Sequence, residues 1–276
     1  MYAPHFDPVA FFDPVAFSVG PVAVHWYGLM YLLGFAAFWI LGRRRAARDP
    51  WRNMSAENIE DLLFYGVIGV ILGGRLGFCL FYQSEWYLAH PLDIFKVWQG
   101  GMSAHGGIVG SILALWFFSR AKGKSFFASA DFVAPLVPLG LMFGRIGNFI
   151  NGELWGRAAD PSLPWAMIFE NSGSLVPRHP SQLYESFLEG AVLFTVLWIY
   201  TKKPRPLGAA GALFCMGYGL VRFAVEYFRE PDDYLGLGLL GLSRGQWLSL
   251  PVAALGLAVW IWAHRRANTA DDRAAS

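Results

Sequence analysis

The chain has 276 residues, of which 55% are hydrophobic, 17% aromatic and only 15% charged, and its mean hydropathy is +0.38. Soluble domains carry roughly 25% charged residues, so a water-soluble globule is excluded and a membrane domain is indicated. The net charge of +2 is too small to point to nucleic acid, and where the charges fall is more informative.

The chain opens on a tandem repeat, Phe6-Asp7-Pro8-Val9-Ala10-Phe11 followed by Phe12-Asp13-Pro14-Val15-Ala16-Phe17. Its prolines and aspartates argue against a spanning helix, and an aromatic-rich segment at the membrane interface is expected. The basic n-region and small-residue cleavage site of a signal peptide are lacking.

Apolar runs of spanning length follow near 21–42, 61–82, 102–119, 132–150, 183–200, 208–228 and 246–263. The expected architecture is therefore an all-α polytopic membrane protein with seven transmembrane helices, forming one membrane domain over 1–276. Arg43, Arg44, Arg45, Arg48 and Arg52 follow the first span. Arg120, Lys122 and Lys124 follow the third, Lys202, Lys203 and Arg205 the fifth, and Arg265, Arg266 and Arg273 the seventh. The opposite loops hold only Lys96, Arg157, Arg178, Arg229 and Arg244. By the positive-inside rule the N-terminus lies outside and the C-terminus is cytoplasmic. Residues 151–182, between spans four and five, form the longest external loop and are expected to be a small head that receives a polypeptide.

Arg75, Arg145 and Arg222 fall inside spans. A cation in hydrocarbon costs about 2.5–3.5 kcal/mol even on the lenient insertion scale, so such residues usually mark a site. With helix starts at 61, 132 and 209, all three lie roughly 20 Å from the cytoplasmic side. Two readings stand: pairing that glues helices together, or an anion site near the outer leaflet that suits a lipid phosphate. For Arg75 hydrogen bonds or an ion pair are expected rather than substrate contact.

His105, within Gly100-Gly101-Met102-Ser103-Ala104-His105-Gly106-Gly107, lies at the outer mouth of the third span. Its glycine flanks leave room for a ligand or for a helix crossing. Arg222, Glu226 and Arg229 share one helix face, either as an ion pair that eases insertion or with Glu226 orienting a phosphate-binding guanidinium. Arg145 and Asn148 share a face of the fourth helix, and Asn151 and Glu153 follow where that helix leaves the membrane. Ser181 could serve as a helix N-cap, and Gln182 and Glu185 as structural partners. At the start of the first span Trp26 reads as an aromatic-belt anchor, and Tyr27 as belt or site. Cys79 and Cys215 lack zinc-like spacing and read as small core residues, so no metal is expected.

The segment 144–156, Gly144-Arg145-Ile146-Gly147-Asn148-Phe149-Ile150-Asn151-Gly152-Glu153-Leu154-Trp155-Gly156, resembles the signature of phosphatidylglycerol–prolipoprotein diacylglyceryl transferases at every fixed position. Blocks at 25–31, 73–78, 100–107, 179–185 and 218–232 are similar to blocks of that family in the same order. The family usually has a single Phe-Asp-Pro-Val-Ala-Phe hexapeptide, so the second copy looks like a local duplication.

The resemblance implies a bacterial inner-membrane enzyme that moves the diacylglyceryl group of phosphatidylglycerol to the lipobox cysteine of a prolipoprotein. A thioether forms, glycerol phosphate leaves and no cofactor is needed. Its functional residues map to Tyr27, His105, Arg145, Asn148, Glu153, Gly156, Tyr218, Arg222, Glu226 and Arg229, and our own reading adds Asn151. His105, Arg145, Arg222 and Tyr27 are the expected catalytic set, with the remainder binding substrate. Guanidinium groups would stabilise charge on the leaving phosphate, and His105 is the candidate base for the thiol. The rivals are an anion transporter and another intramembrane hydrolase. The odd helix count and missing internal repeat weigh against the first, and the lack of a GxSxG-like elbow or an intramembrane aspartate pair against the second.

Overall fold

A computed structural model describes residues 15–20, 22–231 and 238–275. The first hexapeptide and the first half of the second, residues 12–14, lie outside the described residues. The chain is mostly helical, and its only strands among the described residues, β1 (Val15–Val19) and β2 (Val22–His25), pair antiparallel. This hairpin occupies the residues where the first apolar run begins, so the first helix starts at Trp26 and not at 21. The β-branched alternation of Val22 and Val24 favours a strand there.

The helices are α1 (Trp26–Arg48), α2 (Ala56–Phe81), α3 (Ser84–Ala89), α4 (Ala104–Ala121), α5 (Phe126–Val133), α6 (Val137–Ile150), α7 (181–200), α8 (Ala209–Val225) and α9 (Arg244–Ala275). Each of the seven apolar runs overlaps a helix over most of its length. Three helices among the described residues, α2, α7 and the 244–268 stretch of α9, are long and apolar enough to cross a membrane, and a fourth if the bent pair α5–α6 is one span. The fourth apolar run is broken at 134–136 because Pro135 cannot donate to the preceding turn, and Pro138 restarts the helix at its N-terminus. Asp131 accepts from Gly208 N at 2.6 Å and from Gly211 N at 2.9 Å, and so caps α8 from a distance in sequence.

The described chain divides into two compact units. One comprises the residues up to Phe38 and from Asp131 onward, the other Trp39–Ala130. In the first unit α6, α7, α8 and α9 form the packed helical core. In the second, α2 and α4 cross closely. Their small residues, Gly69, Gly73 and Gly77 on α2 with Gly106, Gly110 and Ala114 on α4, recur every fourth position and meet backbone to backbone. A Cβ built on Gly73 would lie 2.7 Å from Gly110 Cα, and one on Gly69 2.6 Å from Ala114 Cβ. Such stripes let helices approach in lipid, where no hydrophobic force drives them together. A capping box at Ser55 and Asn58 opens α2, and Ser103 accepts from Gly106 N at 3.2 Å to open α4.

Candidate functional site

The polar centre of the first unit lies on α7. Residues Ser186–Val192 of that helix are π-helical, between α-helical turns at Ser181–Glu185 and Leu193–Tyr200. A π-segment is rare and is found most often at functional sites. Here it carries Glu189, and Glu185 immediately precedes the segment; both carboxylates have 0% side-chain exposure.

Three guanidinium groups converge on these acids. Arg145 of α6 places Nε 3.0 Å from Glu185 and Nη2 3.8 Å from Glu189. Arg222 of α8 donates to Glu185 through Nη1, which is also 3.9 Å from Glu189, while its Nη2 lies 2.7 Å from Glu226. Arg229 donates to Glu185 at 3.4 Å. The arginine side chains keep 12–18% of their surface exposed. Ser243, just before α9, donates to Glu226 at 2.8 Å. Within the low-dielectric interior each unpaired charge would be costly, so this interlocking of opposite charges is what allows six of them to sit together.

A turn follows α6. Gly152 and Leu154 both adopt left-handed backbone, with φ of 62° and 58°. This reversal holds Glu153 near the helix end, where Asn148 donates to it at 2.8 Å and Asn151 at 3.4 Å. Gln182 and Ser181 pin the same turn by donating to the carbonyls of Glu153 at 2.7 Å and Leu154 at 3.2 Å. A left-handed leucine is strained, and these contacts from α7 hold it there. Tyr27 lies against Gly147, its hydroxyl 3.2 Å from that of Tyr31. Tyr218 sits within electrostatic reach of Glu189, Arg222 and Arg145.

Gly156 marks the place where three backbone segments meet: its N–H donates to the His179 carbonyl at 2.9 Å, and a Cβ there would overlap that carbonyl and the one of Phe228. Arg157 N donates to Phe228 O at 2.8 Å, and Arg178 and Met167 exchange bonds of 2.7 and 3.0 Å. Residues 151–182 are thus a compact, turn-rich segment tied to the chain after α8. His179 bonds the Tyr184 hydroxyl at 3.1 Å, and burial pushes its imidazole below the usual histidine range.

In the second unit His105 is the second residue of α4, is exposed, and its imidazole makes no hydrogen bond among the described residues. The glycine beside it, Gly106, is taken up by the α2–α4 crossing. Arg75 is buried, with 3% of its surface exposed, and donates to backbone carbonyls: Ile94 at 2.8 Å, Asp93 at 2.6 Å, Gly100 at 2.5 Å, Gly101 at 3.2 Å and Lys96 at 3.3 Å, with the Tyr87 ring 5.2 Å from its guanidinium carbon. It organises the 93–101 loop that leads into α4. The expectation of hydrogen bonds for Arg75 agrees with this geometry.

The structure corrects several sequence expectations. Helix α2 starts at Ala56, and Arg145 lies on a helix that restarts at Val137, so the equal-depth arithmetic no longer holds for Arg75 and Arg145. Arg222, Glu226 and Arg229 do not share one continuous helix, because α8 ends at Val225. Arg229 reaches Glu185 from a turn. Pro180, not Ser181, is the N-cap residue of α7. The sequence reading undervalued Glu185 and passed over Glu189. The signal was available: two acids four residues apart in an apolar run are as costly in lipid as the arginines that drew attention.

A multi-pass α-helical membrane protein with an arginine–glutamate cluster among its helices is the class that this fold and site define. The chain belongs to the prolipoprotein diacylglyceryl transferase family, whose model matches residues 14–262. It is similar to the phosphatidylglycerol–prolipoprotein diacylglyceryl transferase of Methylibium petroleiphilum, with 57% identity over 258 residues, 93% of this chain and 98% of the relative. The enzyme of the same name from Bordetella avium is 58% identical over 257 residues, 93% of this chain and 97% of the relative. That from Paracidovorax citrulli is 52% identical over 260 residues, 92% and 96% of the two chains.

Proposed function

We propose that this protein transfers the diacylglyceryl group of phosphatidylglycerol to a prolipoprotein, the first step of lipoprotein maturation, and that the acceptor is the lipobox cysteine thiol. The observation that carries the site assignment is the convergence of Arg145, Arg222 and Arg229 on the α7 acids. These guanidiniums are oriented in advance and still partly accessible. A phosphodiester arriving there meets donors already fixed in place, which is how electrostatic preorganisation lowers a barrier.

In the reaction the thiol sulfur attacks the glycerol carbon next to the phosphate. The carbon–sulfur bond forms as the carbon–oxygen bond breaks, and the thiol proton is removed. The departing glycerol phosphate gains negative charge, which Arg145 and Arg222 stabilise. The thiol, with an ordinary pKa near 8.5, reacts as thiolate, and His105 is the assigned base, worth typically 10²–10⁴-fold. Tyr27, Asn148, Asn151, Glu153, Gly156 and Tyr218 shape the substrate site, Glu226 holds Arg222, and Arg229 adds a third cation. The nucleophile comes from the substrate, so neither Cys79 nor Cys215 takes part.

We further propose a seven-span arrangement with the N-terminus outside, in which α1, α2, α4, α5–α6, α7, α8 and α9 are successive crossings. The alternation of basic loops supports it. Residues 151–182 then form an external head on the side where the lipoprotein signal segment is presented, and the compartment is the bacterial inner membrane.

The test is mass spectrometry of a lipobox peptide incubated with purified protein and phosphatidylglycerol. A gain of one diacylglyceryl group, absent in folded Arg145→Ala and His105→Ala proteins, is the expected result. Full activity in His105→Ala would remove the base assignment and leave the phosphate site standing. No adduct from the wild-type protein would overturn the transferase reading.

A further inference from the structure

Glu189 is a buried acid that the proposed chemistry does not use. Its side chain is wholly out of solvent and neither of its oxygens has a hydrogen-bond partner among the described residues. It faces Arg145 of α6 at 3.8 Å and Arg222 of α8 at 3.9 Å, with Glu185 one turn away on its own helix. Tyr218 of α8 and Arg229 after it complete the ionisable groups around it. The other two acids of the cluster are held firmly: Glu185 by three guanidiniums, and Glu226 by Arg222 and Ser243.

Counted as charges, the cluster balances. Arg145, Arg222 and Arg229 oppose Glu185, Glu189 and Glu226. A phosphodiester carries one negative charge, so its arrival leaves the buried site with an uncompensated anion, which is expensive away from water. A proton delivered to a carboxylate removes that excess. Glu189 gives up the least by taking it, because it has no hydrogen bond to lose and both of its cationic neighbours are the groups that the phosphate would engage.

We infer that Glu189 is a positioning residue that takes up a proton as phosphatidylglycerol binds, releasing Arg145 and Arg222 from its field so that they turn to the lipid phosphate. This rests on the proposal that those two arginines hold the phosphate. In the free protein Glu189 keeps the cluster neutral and the guanidiniums in place. In the complex it is a neutral acid. Lipid binding is then coupled to uptake of a proton, and it weakens as pH rises.

The experiment is calorimetric titration of the full-length, detergent-solubilised protein with short-chain phosphatidylglycerol, in two buffers of different ionisation enthalpy at neutral pH. Wild-type protein is expected to take up about one proton per lipid, and Glu189→Gln close to none while binding at least as tightly. Binding by wild type with no proton uptake overturns the inference, and so does undiminished uptake by Glu189→Gln. The wild-type measurement decides even if the variant does not fold. Arg145→Ala separates the two proposals. If its binding is lost while wild type takes up no proton, only the Glu189 role fails. If it binds as well as wild type, the phosphate site itself is misassigned.

Discussion

The Glu185 carboxylate lies 3.0 Å from Arg145 Nε and is completely shielded from solvent, whereas the arginine remains partly accessible. The acid is the fixed member of the pair and the guanidinium is the face shown to a ligand. Because Glu185 also holds Arg222 and Arg229, one side chain sets the orientation of three cations.

Glu185→Ala is therefore expected to do more damage than loss of any single arginine contact. Removing one member of a buried charge network typically costs about 3–5 kcal/mol, since its partners are left uncompensated. Thermal unfolding of the detergent-solubilised protein should show a markedly lower midpoint, and peptide lipidation should be lost. A variant as stable as wild type would show that the three cations do not depend on this acid.

Arg75→Gln should separate stability from chemistry. Five carbonyls lose their donor, and the cost is about 2–4 kcal/mol if most cannot be re-satisfied. The yield of folded protein falls, while turnover per folded molecule stays within a few-fold of wild type. Complete loss of turnover in fully folded Arg75→Gln would place this arginine in the reaction instead.

Gly110→Val tests the α2–α4 crossing. A Cβ at this position would meet the backbone of Gly69 and lie 2.9 Å from Gly73 Cα, so the helices must separate. Overpacking of this kind costs about 1–3 kcal/mol or more. Gly28→Ala, where nothing lies within 4 Å, should be neutral by the same reasoning. Size-exclusion chromatography after membrane extraction compares the two directly.

Asp131→Ala removes two acceptors from the start of α8 and should lower stability by about 1 kcal/mol. Asp131→Asn keeps one carbonyl acceptor and should recover part of it. Equal unfolding midpoints for wild type and Asp131→Ala would rule out the cap.

Asp49, after α1, carries a pH signature. The hydrogen bond from Arg48, and behind it that from Arg52, holds its carboxyl below the usual carboxylate range despite some opposing desolvation. A depressed acid contributes stability above its unfolded pKa of about 3.9 and loses it as pH falls through the lower folded value. Asp49→Asn should flatten the acid limb of the stability curve of the purified protein and leave the neutral limb parallel. An unchanged acid limb would remove the assignment.

The amino-acid sequence by itself determined the membrane class and the seven apolar segments, and it singled out Arg145, Arg222 and the turn after α6. These are local properties: hydropathy over one helix length, basic loops, and ionised side chains where charge is expensive. The family was legible for the same reason, since its motifs are contiguous stretches. Only the tertiary structure decided what each charge does. That Arg75 binds carbonyls while Arg145 binds acids cannot be read from spacing, because both are arginines in apolar helices and their partners come from distant segments. The break at 134–136 was written in Pro135 and Pro138, whereas the π-helical turn of α7 depends on packing against α6 and α8. Glu189 is the clearest case: in sequence it is the second of two acids in an apolar run, and its meaning appears when two guanidiniums on other helices are placed within 4 Å of it.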